Sequence, residues 1–160
     1  MPRSSLLAIK AAVELISTPE GARRSANTFS LTQTFIQRLH SLCPPLTTPL
    51  LSLPPNALVR APTVRPGQAA PRTGLARLAA PPIVPLLSSQ SRSLAAHLLA
   101  HGYLVRPIAY PTVPRGRERV RICIHAHNTL QDVEGLVECL HAWHAREGEA
   151  ARRTEDKAKM

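Results

Sequence analysis

Aromatic residues are scarce in this chain: Phe, Tyr and Trp together make up 3% of its 160 residues. Proteins that bind single-stranded nucleic acid stack bases on aromatic side chains, so this scarcity argues against that class. A net charge of +10 is nevertheless typical of proteins that bind polyanions. Because the arginines are scattered rather than grouped in one run, a noncatalytic basic protein that binds nucleic acid or another protein is kept only as an alternative.

Acidic residues and cysteines are also limited. No acidic residue occurs from Gly21 through Arg117, and no Asp precedes Asp132. Catalysis by a Ser/His/Asp triad therefore has no supporting pattern. The three cysteines lack paired spacing, which argues against a disulfide framework and favours a reducing compartment. No apolar run is long enough to cross a membrane, so no membrane partner is expected.

Regular periodicity is missing from residues 43–81, where Pro, Leu, Ala, Thr and Arg dominate. This composition predicts a loop or a disordered insert. Because a structureless loop of this size is unusual inside a compact domain, we interpret part of it as foreign sequence, for example translated non-coding sequence. Residues 1–42 are predicted to be a helical segment and residues 146–160 a charged tail.

Two predicted strands and a rigid turn lie between Gly102 and Thr129. The strands are Tyr103 to Ile108 and Glu118 to His127, and Pro111 to Gly116 forms the turn because its two prolines fix φ. Side chains alternate between the two faces of a strand. The face predicted to be buried carries Val120, Ile122 and Ile124, and the opposite face carries Arg121, Cys123, His125 and His127.

Helical periodicity flanks these strands. Ser93 is predicted to cap one helix, and Gly102 stands where a helix-ending glycine belongs. Thr129 and Asp132 form a capping-box pattern at the start of a second helix. The apolar stripes are Leu94, Ala95, Leu98 and Leu99 in the first helix, and Leu130, Val133, Leu136, Val137, Leu140 and His144 in the second.

A further short strand, Ile83 to Leu87, precedes both helices. The order strand, helix, strand, strand, helix predicts an α+β domain over residues 82–145, in which helices cover a short, mainly antiparallel sheet.

The motifs in this region resemble the C-terminal domain of the α-oxoamine synthases, most closely the 8-amino-7-oxononanoate synthases. The resemblance is carried by PTVPRG at Pro111 to Gly116, RVRI at Arg119 to Ile122 and HAHNT at His125 to Thr129, with PPIVPLL and SLAAHLLAHGYLVRPI in register before them. It covers Pro82 to Trp143. The early stretch SSLLAIKAAVELISTPEGARR resembles, more weakly, the long helix that leaves the large cofactor domain of the family.

The resemblance implies a fold-type-I, pyridoxal 5′-phosphate-dependent homodimer that condenses an amino acid with an acyl-CoA. For the closest branch these substrates are L-alanine and pimeloyl-CoA, in biotin biosynthesis; a synthase that uses glycine or serine is the alternative within the family. By the same resemblance Arg121 binds the carboxylate of the amino acid, and Thr112 lines the same cleft.

The family's cofactor machinery has no counterpart in this sequence. A pyridoxal enzyme needs a Schiff-base lysine, an acidic partner for the pyridinium nitrogen and a phosphate cup. The only lysines are Lys10, Lys157 and Lys159, none in the family's Ser-x-x-Lys context. We therefore predict a C-terminal fragment with no catalytic and no cofactor-binding residue of its own, inactive and without bound pyridoxal phosphate when alone.

Possible metal ligands occur in two groups: Cys123, His125 and His127 on one strand, and Cys139, His141 and His144 on the last helix. Their spacing matches no recurrent zinc pattern, so no metal site is predicted.

The chain ends in Ala158, Lys159 and Met160, a small-basic-apolar sequence that resembles the peroxisomal address of the Ser-Lys-Leu type. The charged residues ahead of it favour an exposed tail, as a receptor-read signal requires. The expected location is the peroxisome and otherwise the cytoplasm.

Overall fold

The computed structural model describes residues 3–42, 47–48, 50–54 and 81–158. In these ranges the chain forms four helices and five short strands. They are α1 (Arg3–Ile16), α2 (Pro19–Leu42), β1 (Thr47–Thr48), β2 (Leu51–Ser52), β3 (Ile83–Leu87), α3 (Ser91–Ala100), β4 (Arg106–Ile108), β5 (Arg119–Cys123) and α4 (Leu130–Ala158). The α+β class and the predicted order strand, helix, strand, strand, helix from β3 onward are confirmed.

The strands form one antiparallel sheet in the order β1-β2-β3-β5-β4. In its centre, Val84 pairs with Ile122 and Leu86 with Val120, and all four side chains are buried. Arg121 and Cys123, which alternate with them on β5, are exposed. The period-two pattern of the sequence therefore assigned both faces of β5 correctly, although the strand is shorter than the predicted Glu118 to His127.

Helices α2, α3 and α4 pack together on the buried side of the sheet. Phe35 and Leu39 of α2, Leu94 and Leu98 of α3, and Trp143 of α4 are each 0% exposed. Burial of such large apolar side chains is the main favourable term in folding, so these three helices and the sheet share one core.

The start of α3 differs from the prediction, whereas its end agrees with it. The helix begins at Ser91, so the prediction that Ser93 caps it is wrong; Gln90 stands at the cap and makes no side-chain cap bond. Leu99 is also outside the buried stripe, because 59% of its surface is exposed. The predicted end is confirmed: Gly102 has φ +87°, and the backbone N–H groups of Gly102 and Tyr103 donate to Leu99 and Leu98.

The N-terminal helical segment is two helices rather than one. Ser17 and Thr18 interrupt it, and the Thr18 hydroxyl accepts a hydrogen bond from Gly21 N at 3.1 Å. Pro19 begins α2, where its missing N–H costs nothing. The apolar stripe of α1 stays outside the core, and its side chains are 54–72% exposed: Leu6, Ile9, Val13 and Ile16.

The predicted structureless insert at residues 43–81 contains some regular structure. Residues 47–48 and 51–52 form the strands β1 and β2, Ser52 pairs with Leu87, and Leu51 is 0% exposed. The prediction is therefore wrong for these residues, because Leu51 extends the core beyond the edge of β3. Residues 43–46, 49 and 55–80 lie outside the described residues.

The capping box at the start of α4 is confirmed. Thr129 N donates to Asp132 Oδ2 at 2.8 Å, and Asp132 N donates to Thr129 Oγ1 at 3.2 Å. The hydrogen bonds from Thr129 to the carboxylate hold the pKa of Asp132 below its ordinary value.

The Asp132 carboxylate should make the stability of the chain depend on pH on the acid side. Since its folded pKa is lowered, its contribution is present above its unfolded pKa, about pH 4, and is lost as the pH falls through the folded pKa. We expect Asp132→Asn to flatten the fall of the urea midpoint between about pH 5 and pH 2. Glu138→Gln, an exposed change on the same helix, is the control. An identical acid profile for Asp132→Asn and the unaltered chain would contradict the prediction.

Candidate substrate-carboxylate site

The site is built on the open face of the sheet, opposite the helical core. Pro85 on β3, Arg121 on β5 and Arg106 on β4 form one row, because Arg121 pairs with both neighbours in the strand register. Arg121 and Arg106 are exposed. Side chains directly opposite on antiparallel strands have Cβ atoms about 5 Å apart, so the two arginines lie side by side.

The electrostatics of this row favour an anion. Like charges directly opposite one another destabilise a sheet. Among the residues that the structure describes, neither Arg121 nor Arg106 has an ion-pair or hydrogen-bond partner. A guanidinium presents its donors in a fork that matches the two oxygens of a carboxylate, so a bound carboxylate would relieve the repulsion.

The next row along the sheet is less open. Leu87, Arg119 and Ile108 share it, and all three are partly buried. Arg119 Nε donates to the backbone oxygen of Arg117 at 3.2 Å, so this arginine has a structural partner. The free cationic surface of the described part of the sheet therefore centres on Arg121 and Arg106.

The proline turn between β4 and β5 is stiffened by short-range contacts. The Tyr110–Pro111 peptide is cis, and Gly116 has φ +79°. Thr112 N donates to Ala109 O at 3.0 Å, and the guanidinium of Arg115 lies 5.0 Å from the centre of the Tyr110 ring.

Thr112 and Arg121 are both exposed, but they are not neighbours in the strand register. The turn joins the end of the sheet where Ile108 faces Arg119, and Arg121 lies two residues, about 7 Å, further along β5. The structure therefore leaves the predicted role of Thr112 untested.

Two cavities border the sheet. One of about 310 Å³ lies where the stretch after α3 meets the end of β5 and the start of α4, and Tyr103, Val105, Ile124 and Asp132 are among its lining residues. The other, of about 620 Å³, lies between the start of α3 and the proline turn, lined in part by Ser91, Arg92, Tyr110 and Arg115. Neither contains Arg121 or Thr112.

The predicted ligand-type residues on β5 and the following loop do not gather around one point. His125 and His127 have ring centres 6.2 Å apart, and Cys123 is exposed. The structure instead brings together His97 of α3, His101 directly after α3, and Cys139 of α4. Sequence reasoning missed this group because Cys139 is far from the two histidines in the chain, although the i, i+4 spacing of the histidines was a usable signal.

Burial shifts the pKa values of His97 and Cys139 in opposite directions. It is the main cause that lowers the pKa of His97, with the nearby His101 as the second cause, and it raises the pKa of the Cys139 thiol.

The residues present do not fit pyridoxal phosphate by themselves. Lys10 lies on α1, where it faces Glu14 at 3.7 Å, and Lys157 lies near the end of α4. Neither described lysine is on the sheet beside Arg121. Lys159 lies outside the described residues.

About two fifths of the chain is similar in sequence to known proteins of one enzyme family. These approximately 60 residues are related to the α-oxoamine synthases, a family of pyridoxal-phosphate-dependent enzymes. No protein-family profile matches the chain.

The relatives are named as follows. The chain is 52% identical over 62 residues to an 8-amino-7-oxononanoate synthase of Emericella nidulans, which is 39% of this chain and 15% of that protein. It is 42% identical over 60 residues to an 8-amino-7-oxononanoate synthase of Methylobacillus flagellatus, or 38% and 15% of the two chains. A mitochondrial 5-aminolevulinate synthase of Agaricus bisporus is 40% identical over 63 residues, or 37% and 10%. The chain thus spans only a small part of the curated relatives it matches.

Proposed function

We propose that residues 82–145 are the substrate-carboxylate domain of an enzyme that condenses an amino acid with an acyl-CoA, as an 8-amino-7-oxononanoate synthase does with L-alanine and pimeloyl-CoA in biotin biosynthesis. The observation that carries the proposal is that Arg121, exposed on β5 beside Arg106, has no ion-pair or hydrogen-bond partner among the described residues. The two cations attract the carboxylate, and the Arg121 fork orients it.

The chain is proposed to act only as part of a larger assembly. Pyridoxal phosphate supplies the carbanion stabilisation of such condensations, and its lysine would have to come from a large domain outside this sequence. The exposed stripe of α1, formed by Leu6, Ile9, Val13 and Ile16, supports this, because a helix with a bare apolar face normally packs on another surface. A homodimer of the complete enzyme belongs to the same proposal.

A chimera tests the proposed function. The matching segment of the Emericella nidulans synthase would be replaced by residues 82–145 of this chain, and release of CoA from pimeloyl-CoA with L-alanine would be measured. We expect the chimera to retain turnover, because the donated segment carries Arg121 and the host supplies the cofactor domain. A folded chimera that holds pyridoxal phosphate but releases no CoA with L-alanine, glycine or serine would contradict the proposal.

The amino acid is the second question for the same chimera. The 40% identity to a 5-aminolevulinate synthase over 63 residues makes a related acyl-CoA and amino-acid synthase the second candidate. Because each of these amino acids carries an α-carboxylate, the proposed contact with Arg121 is the same for all of them. A higher kcat/KM with glycine or serine than with L-alanine would favour that candidate.

The 160-residue chain alone should not form a covalent pyridoxal adduct at one fixed site. After incubation with pyridoxal phosphate and removal of excess reagent, we expect no stable absorbance of bound pyridoxal, because neither described lysine lies beside the sheet. Borohydride reduction followed by peptide mapping is the measurement. One stoichiometric adduct on a single lysine would contradict the prediction.

The C-terminal Ala158, Lys159 and Met160 are proposed to direct the protein to the peroxisome. We expect a fluorescent protein that ends in the last twelve or so residues of this chain to collect in peroxisomes. The matched control carries Lys159→Glu, which reverses the charge that the receptor would read. A diffuse cytosolic signal from the unaltered fusion would end this proposal.

A further inference from the structure

Three metal-ligand side chains meet where the end of α3 lies against α4. His97 lies in the last turn of α3, His101 is the residue that caps its C-terminal end, and Cys139 approaches from α4. One ligand atom from each residue lies within 4.8 Å of the other two. Cys139 is buried, His97 is partly buried, and His101 is exposed, so the group opens to solvent on the His101 side.

One ring nitrogen of His97 is buried and lacks a hydrogen-bond partner among the described residues. This atom is Nε2, although a backbone hydrogen bond to Cys139 acts on the same ring. A buried polar atom without a partner costs about 1–3 kcal/mol, so a water or an ion bound at this atom would remove that cost.

His101 is oriented by the backbone. Its Nδ1 atom lies 2.8 Å from the carbonyl oxygen of His97, and a proton on Nδ1 donates to that oxygen. This hydrogen bond fixes the tautomer in which Nε2 carries the lone pair. Metal-binding histidines use the same arrangement, in which one ring nitrogen donates to a carbonyl and the other binds the ion.

We propose that His97, His101 and Cys139 bind one divalent transition-metal ion, with Zn²⁺ as the ion that fits best. Two imidazoles and a thiolate are the ligand types that Zn²⁺ prefers, and a water would complete the tetrahedron. In a tetrahedral site with normal Zn–N and Zn–S bonds, the ligand atoms are about 3.4–3.6 Å apart, so the group has to close by roughly 1 Å. His101 is exposed, so a shift of its side chain by that amount disturbs no buried packing.

The surroundings tolerate a cation. The site lies at the C-terminal end of α3, where the helix dipole favours positive charge. The guanidinium of Arg146 acts on His97, but Arg146 pairs with Glu147 at 3.3 Å, so its charge is offset. The ion would join the end of α3 to the middle of α4. This metal site is independent of the proposed function, since neither Arg121 nor the sheet contributes to it.

Titration of the 160-residue chain with Co²⁺ alone tests the proposal. We expect a thiolate-to-cobalt charge-transfer band that saturates at one ion per chain and disappears when Zn²⁺ is added. Cys139→Ser should abolish the band. Cys123→Ser is the matched control and should keep it, because Cys123 is exposed and does not belong to the group. The absence of a band in the unaltered chain would overturn the proposal.

The histidine variants give a second readout. His101→Gln removes an exposed ligand without opening the core, so the fold should persist, as far-ultraviolet circular dichroism would show. We expect it to weaken Zn²⁺ binding by more than about tenfold in a competition titration, since even indirect contacts to a metal contribute that much. His141→Gln, an exposed change on α4, should leave the affinity unchanged. Equal affinity in His101→Gln and the unaltered chain would show that the metal binds elsewhere.

Discussion

Replacing Arg121 by Met in the chimeric synthase should lower kcat/KM for the amino acid about 100-fold. Truncating one partner of a hydrogen-bonded charge pair costs about 2–5 kcal/mol, and each 1.4 kcal/mol is a factor of ten. Met keeps the apolar part of the side chain on the open face of the sheet, so the loss reports the guanidinium. Because the proposed role of Arg121 is to bind the carboxylate rather than the acyl group, KM for the acyl-CoA should change little.

The matched control for this experiment is Arg117→Met. Arg117 is an exposed arginine in the same segment, but it lies in the turn outside the row of Arg121 and Arg106. The Arg117→Met substitution removes one positive charge from the same domain, as Arg121→Met does. Equal losses in the two variants would mean that net charge rather than a carboxylate contact decides activity, and the assignment of Arg121 would then be wrong.

Arg106→Met should give a smaller loss than Arg121→Met, of a few fold. Arg106 adds to the positive potential next to Arg121, and exposed charges at this distance are partly screened by salt. This loss should shrink as ionic strength rises, whereas the loss caused by Arg121→Met should persist because a forked contact is lost.

Replacing Trp143 by Ala should lower the free energy of unfolding of the 160-residue chain by about 3–5 kcal/mol. Trp143 is 0% exposed and belongs to the core shared by α2, α3, α4 and the sheet, so its removal leaves a cavity. Since natural domains are stable by only about 5–15 kcal/mol, this variant should be close to unfolded at room temperature. Urea titration followed by far-ultraviolet circular dichroism measures the change.

Trp143→Phe separates packing from hydrogen bonding. The indole Nε1 of Trp143 is buried and has no hydrogen-bond partner among the described residues. Phe removes that unsatisfied donor while it keeps much of the apolar volume, so the loss should be well below that of Trp143→Ala. His141→Ala, an exposed change on the same helix, should stay within about 0.5 kcal/mol. A loss below about 1 kcal/mol for Trp143→Ala would show that α4 does not close the core.

The sequence predicted the elements that local chemistry specifies. The alternation of Val120, Arg121 and Ile122 set the two faces of β5, because strand side chains alternate. Gly102 and the Thr129–Asp132 pair fixed one helix end and one helix start, because capping needs only neighbouring residues. Where the sequence pattern failed, as at Ser93 and Leu99, several positions were locally acceptable and packing made the choice.

No described helix is long and apolar enough to cross a membrane.

The sequence alone determined the α+β order from β3 to α4 and the exposure of Arg121. It also carried the family resemblance that implies a carboxylate-binding role for this arginine. Only the tertiary structure decided which distant residues meet. It placed Arg106 beside Arg121 through the register of β4 and β5, buried Leu51 next to β3, and brought His97 and His101 against Cys139. The physical reason is that periodicity and capping act within a few residues, whereas the register of strands and the packing of helices depend on how the whole core closes.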